Sequence, residues 1–225
     1  MATIKVLFSK SLIKEVLNFF QIFKYKLRID RKSHMIRDVK RIQPKKILEI
    51  GVHTGDFALR LLDSISTANN EGVHYVGVDL FSEMQDLDNY SKEVSLWAKS
   101  ENFVYEKIKQ KFPSVHVQLY TGYSSKILFS LKEKFDIIFI DGGHSFETVK
   151  NDWEVSSQSL LKKGGVIYFD DYCNSKQSLK SGFGIKKVVD NIDTDKWSVE
   201  FMKISDYFSK DWGILSLKIV KVVEK

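Results

Sequence analysis

Five carboxylates and one imidazole stand at or just beyond the ends of short apolar runs in this sequence. Glu49 leads into Gly51 and Gly55 in "LEIGVHTGDF", and Asp79 ends "VHYVGVD". Asp141 closes "FDIIFID", with Gly142, Gly143 and His144 directly after it, and Asp170 and Asp171 close "GGVIYFDD". A glycine turn such as 51–55 lets backbone approach a ligand and aims helix N–H groups at it. An acid ending the next strand is placed to accept hydrogen bonds from the ribose of a nucleotide-like ligand. Asp141, Asp170 and Asp171 would meet where neighbouring strands end, and would repel one another without a cation between them. Oxygen-only ligands select Mg²⁺, with Mn²⁺ or Ca²⁺ as substitutes. The competing reading makes these acids helix N-caps. His144, directly after Gly142 and Gly143, reads either as part of an active-site wall or as a loop histidine bonded to backbone.

Such residues do chemistry only if strands deliver them to one crevice. From Lys46 onward, buried strand patterns ("KILEIGV", "VHYVGVDL", "SVHVQLYTG", "FDIIFIDG", "GGVIYFDDY") alternate with helical ones, which predicts an α/β fold: a parallel sheet with helices on both faces. Near the C-terminus "WSVEFMKI" and "WGILSLKIVKVV" follow without a helix between them and predict an edge hairpin. A helix is expected from Gly55 to Ser66. The stretch 81–104 is long for a connection and reads as part helix, part lid. It and 172–186 are the loops expected to shape an acceptor pocket.

Residues 1–45 read as a basic helical extension and 46–225 as the catalytic domain. Leu7, Leu12, Val16, Phe19, Phe20 and Phe23 recur at helical spacing within 3–29, and a second helix is expected over 32–42, before Pro44. Residues 1–46 hold 13 Lys and Arg against 3 Asp and Glu, and the remainder 22 against 26. The basic surplus is therefore local, which argues against a nucleic-acid footprint over the body. The extension is expected to pack on the domain or on a second subunit of a homo-oligomer, or to touch a membrane surface peripherally. One cysteine, Cys173, and no secretory or membrane-spanning pattern fit a cytoplasmic protein. There are two prolines in all, Pro44 and Pro113, and no proline pair follows the fourth strand.

"EIGVHTG" together with Asp79 resembles the class I S-adenosylmethionine (SAM)-dependent methyltransferases, from about residue 46 to the C-terminus. A dinucleotide-binding fold would want G-x-G-x-x-G, where positions 51–56 read G-V-H-T-G-D. The resemblance implies a Rossmann-like, doubly wound seven-stranded sheet of order 3-2-1-4-5-7-6 with the last strand antiparallel. It also implies a SAM site made of Glu49, Gly51, His53, Gly55, Asp79, Leu80, Gly122, Tyr123 and Asp141. His53 departs from a common glycine, and Tyr123 stands where an acid often meets the adenine. The stretch "IDGGHSFETVKNDWEVSSQSLLKKGGVIYFDDY" resembles the metal-dependent O-methyltransferases that modify sugars of natural products, with Phe146 in place of a tyrosine. That resemblance implies that Asp141, Asp170 and Asp171 bind Mg²⁺ and that His144 is the base, aided by Asp141. The expected reaction is methyl transfer to a sugar hydroxyl of a glycan or glycosylated metabolite. A phenolic acceptor, an RNA 2′-hydroxyl and a non-catalytic protein of the same fold are the rivals.

Overall fold

The computed structural model describes residues 29–65, 71–83, 98–173, 184–210 and 213–225. Residues 3–28 of the expected helix over 3–29 lie outside these residues, as do 84–97 of the expected lid and 174–183 of the second loop. In chain order the elements are α1 (Ser33–Ile42), β1 (Lys46–Ile50), α2 (Asp56–Asp63), β2 (His74–Asp79), α3 (Glu101–Lys111) and β3 (His116–Thr121). There follow α4 (Ser124–Ile127), β4 (Phe135–Ile140), α5 (Phe146–Val155), β5 (Leu161–Tyr172), α6 (Ile185–Val189), β6 (Trp197–Lys210) and β7 (Gly213–Glu224).

The strands form one seven-stranded sheet in the order β3-β2-β1-β4-β5-β7-β6. The first five pair in parallel, and β7 runs antiparallel to both β5 and β6. The order and the antiparallel last strand are those that the resemblance implies. The sheet is apolar on both faces because each face carries helices. Strand alternation divides the core into two layers. Ile47, Tyr75, Ile137, Phe139, Val166 and Tyr168 pack on one face with α1, α2 and α3. Leu48, Val76, Ile138, Ile140, Ile167 and Phe169 pack on the other with α5 and α6.

Helix α1 docks through Met35 and Val39, four residues apart and fully buried, and ends in the left-handed Gln43 one residue before Pro44. Its Asp38 accepts hydrogen bonds from Tyr168 Oη (2.8 Å) and Lys221 Nζ (2.6 Å), fastening the helix to β5 and β7. The helix expected over Gly55–Ser66 is shorter, because Gly55 at φ +73° is its N-cap and cannot lie within it. Among the described residues of 81–104, Glu101 to Val104 are helical and open α3. Ser100 caps α3 by accepting from the Phe103 N–H at 3.1 Å.

Candidate active site

The period of two along a strand explains why the acids share a crevice. Glu49 is in register with Gly77 and Phe139, and Phe139 with Tyr168. Glu49, Asp79, Asp141 and Asp170 therefore fall on one sheet face, at the ends of β1, β2, β4 and β5. Asp171 should point the opposite way. It does not, because its backbone turns left-handed (φ +57°) beside a bulge in the β5–β7 pairing between Phe169 and Tyr172. This kink brings two successive carboxylates to one place.

A cleft of about 890 Å³ opens over β1, β2 and β4, lined by Lys32, Glu49, Gly51, His53, Asp79, Leu80, Tyr123, Asp141, His144 and their neighbours. Its floor depends on Gly51. At φ +92°, a side chain there would place Cβ 2.1 Å from the Asp141 carbonyl oxygen. The Asp79 carboxylate is held by two backbone donors, His53 N–H and Phe81 N–H, each at 2.8 Å. His53 adopts φ +54°, the conformation for which a glycine is the usual choice. Gly55 and Gly122 do not line the cleft and act through their turns. Gly55 starts α2 against Val104, and the Gly122 N–H donates to the Asp79 carbonyl oxygen at 2.9 Å. Glu49 is 1% exposed and accepts from Tyr75 Oη at 2.6 Å. Burial pushes its pKa up to about 7, against the opposing pull of that hydrogen bond and of Lys32.

Asp141, Asp170 and Asp171 converge, but the space between them is taken by the chain's own cations. Arg31 Nε lies 2.5 Å from Asp170 Oδ1, and its Nη2 lies 3.1 Å from Asp170 Oδ2 and 2.8 Å from Asp171 Oδ1. Arg31 Nη1 reaches Asp206 Oδ2 on β6 at 3.0 Å. Lys32 Nζ lies 2.6 Å from Asp141 Oδ2 and 3.0 Å from Asp170 Oδ2, and 4.5 and 4.9 Å from the ring centres of Phe57 and Phe139. Burial opposes both positive charges, but the surrounding carboxylates outweigh it and hold Arg31 and Lys32 above their ordinary pKa values. Burial also works to raise Asp170, yet Lys32 and Arg31 hold it well below the usual carboxylate range. Asp141 moves the other way, pushed up by burial and by the charges of Asp170 and Asp171.

The Mg²⁺ expected at Asp141, Asp170 and Asp171 does not fit this arrangement. Both oxygens of Asp170 already face cationic nitrogens, and Mg²⁺ needs oxygens at ~2.0–2.1 Å in the volume the Lys32 ammonium fills. Among the described residues no group of three His, Cys, Asp or Glu is arranged to hold a metal ion. The N-cap alternative fails as well. Ser145 caps α5 by accepting from the Thr148 N–H at 3.2 Å, and α6 begins at Ile185, well past Asp171.

His144 follows the cleft wall formed by Gly142 and Gly143, and its Nε2 lies 2.9 Å from Asp171 Oδ2. Gly184 secures this loop: its N–H donates to the His144 carbonyl at 2.6 Å, and a Cβ there would meet Phe146 Cα at 2.3 Å. A carboxylate beside an imidazole orients the ring and stabilises the imidazolium formed on accepting a proton. Sequence reasoning missed Arg31, Lys32 and Asp206. The available signal was the adjacency of two cations at a helix start in a chain whose strands end in surplus acids.

Comparison with known proteins places this geometry. A family model described as "Methyltransferase domain" matches residues 48–172. The structure is similar to the SAH-bound methyltransferase of Podospora anserina (TM-score 0.63, 16% identity, all of both chains covered). It is also similar to an O-methyltransferase from Bacillus cereus in complex with SAH (TM-score 0.58, 17% identity, 97% of this chain and 93% of that one). A third similar structure is the O-methyltransferase of tomaymycin synthesis from Streptomyces achromogenes, in complex with SAM (TM-score 0.58, 13% identity, 99% and 93% covered). At these identities the likeness is one of fold. An uncharacterized protein of Acanthamoeba polyphaga mimivirus is 32% identical over 105 residues, which are 44% of this chain and 47% of that protein's length.

Proposed function

We propose, from the premise that the chain belongs to the methyltransferase-domain family, that it transfers a methyl group from SAM to a hydroxyl, most specifically a sugar hydroxyl of a glycan or glycosylated metabolite. The observation that carries this reading is His144 on the wall of the cleft that Gly51 and Asp79 line, with Asp171 bonded to its Nε2 from outside the cleft. Similar folds that hold SAM or SAH, two of them described as O-methyltransferases, support the donor and the acceptor atom. The sugar is supported by the likeness of 140–172 to sugar O-methyltransferases.

SAM supplies the methyl group on a sulfonium, which leaves as a neutral thioether when the acceptor oxygen attacks in line. The chain's residues do the rest. Gly51 gives clearance, and the Asp79 carboxylate, fixed by two amides, is presented to ribose hydroxyls. Alignment of oxygen, methyl and sulfur supplies much of the rate. His144 takes the hydroxyl proton as the new O–CH₃ bond forms, and Asp171 steadies the resulting imidazolium. The Mg²⁺ of the resemblance has no step here, because Arg31 and Lys32 fill its place. The test is direct. Purified protein is titrated with SAM by calorimetry, then incubated with SAM and a panel of hexosides, phenols and short RNAs while SAH is measured. Hexoside-dependent SAH supports the reading. Binding of SAM with SAH release only on phenol or RNA reassigns the acceptor, and no SAM binding overturns the function.

A further inference from the structure

We infer that Arg31 and Lys32 form a built-in counter-cation that takes the place of a divalent metal ion, so that this site transfers methyl groups without one. The catalytic half of the inference rests on the methyl-transfer reading above; the electrostatic half stands on the geometry alone. Asp141, Asp170, Asp171 and Asp206 come from two strand ends, those of β4 and β5, and from the edge strand β6, and the strands alone do not explain why four like charges meet. The guanidinium and the ammonium do. Together they carry the two positive charges of a divalent ion, spread over donors that reach all four carboxylates.

The pair is also held in place rather than tethered loosely. The Arg31 backbone N–H lies 3.3 Å from both Asp206 oxygens, while Asp30 binds Arg60 on α2 and exchanges hydrogen bonds with Ser33. Five residues after Asp30, α1 docks through Met35, and Asp38 locks it to β5 and β7. A metal entering the cluster would have to expel a buried ammonium packed over Phe57 and Phe139 and leave it without an anion, which is costly. Preorganisation of this kind favours the resident cation.

The position of Lys32 gives the pair a catalytic part. Lys32 lines the cleft, whereas Asp170 and Asp171 do not. Where a metal would present positive charge to the acceptor oxygen, the Lys32 ammonium presents it instead, as a hydrogen-bond donor to the negative charge that grows as His144 removes the proton. A point cation bonded to carboxylates lowers a hydroxyl pKa less than Mg²⁺ does, which places more of the work on the His144–Asp171 pair.

Mn²⁺ titration, followed by electron paramagnetic resonance and calorimetry on protein dialysed against EDTA, tests the inference independently of activity. The wild-type protein is expected to bind no stoichiometric Mn²⁺, and its SAH formation to be the same in EDTA as in Mg²⁺. The variant Arg31→Met/Lys32→Met keeps the side-chain stems and is expected to gain one Mn²⁺ site while losing about tenfold or more in EDTA-treated rate. If that variant does not fold, the wild-type titration decides alone. One tightly bound Mn²⁺ per wild-type chain, or a rate abolished by EDTA and restored by Mg²⁺, overturns the inference. Absence of SAM binding would remove the methyl-transfer reading, yet the Mn²⁺ titration would still report whether the pair fills the metal's place.

Discussion

His144 and Glu49 are placed for opposite ends, one on the cleft wall and one in the core beneath it. His144 is half-exposed on the cleft wall with Asp171 at 2.9 Å from its Nε2, within reach of a ligand in the cleft. Replacing it with Gln keeps the size and some hydrogen bonding but removes the base. His144→Gln should lower kcat by ~10²–10⁴ and leave the calorimetric affinity for SAM nearly unchanged; a comparable loss of SAM affinity would mean the residue binds rather than catalyses. Glu49 is buried and keeps its proton, with its pKa pushed from the ordinary 4.5 up to about 7. Because the folded state holds this proton more tightly than the unfolded chain, the stabilisation is complete below about pH 4.5 and is lost as the pH rises through about 7. Glu49→Gln removes that loss. Its Tm relative to wild type, measured without cofactor, should climb between pH 5 and pH 8 by an amount corresponding to ~3 kcal/mol; a difference that stays flat with pH would contradict the raised pKa.

At the scale of elements, the site depends on two close approaches. The first is β1 against β4, where Gly51 leaves no room for a Cβ beside the Asp141 carbonyl oxygen. Gly51→Ala must move backbone at a positive φ, so it should cost several kcal/mol, of the order of 3, and abolish SAM binding; differential scanning calorimetry and a SAM titration check both. The second is α1 against β5 and β7, fastened by Asp38. Asp38→Ala leaves the largely buried Lys221 ammonium and the Tyr168 hydroxyl without that acceptor. A loss of ~2–3 kcal/mol is expected, together with a lower kcat, because α1 carries Arg31 and Lys32 to the cluster. Elements of this kind were largely legible in the sequence. Apolar runs with a period of two and turn glycines mark β1, β2, β4 and β5 whatever they later contact, and the acids at their ends sit where alternation puts them. Arg31 and Lys32 were not legible, because their partners lie 109 to 175 residues away and no local period encodes such a pairing. The left-handed turn at Asp171 was hidden for a related reason: a single residue's φ leaves no trace in a hydrophobic pattern.

For the molecule as a whole, the +6 net charge and the basic first 46 residues invite a reading in which the N-terminal segment faces outward, toward a membrane or a polyanion. Two of its cations instead turn inward and neutralise the acidic crevice of the sheet. At the strand ends of β1, β2 and β4 the cleft then brings together His144, the amide-held Asp79 and a resident positive charge, on a fold similar to that of proteins that hold SAM and SAH. The central claim is methyl transfer from SAM to a hydroxyl, and the most direct measurement follows both products together. With SAM, a reactive glycoside and EDTA present, mass spectrometry should find SAH and a glycoside heavier by one methylene in equal amounts, both abolished by His144→Gln. SAH without a methylated glycoside, or equal product from the His144→Gln variant, would contradict the account.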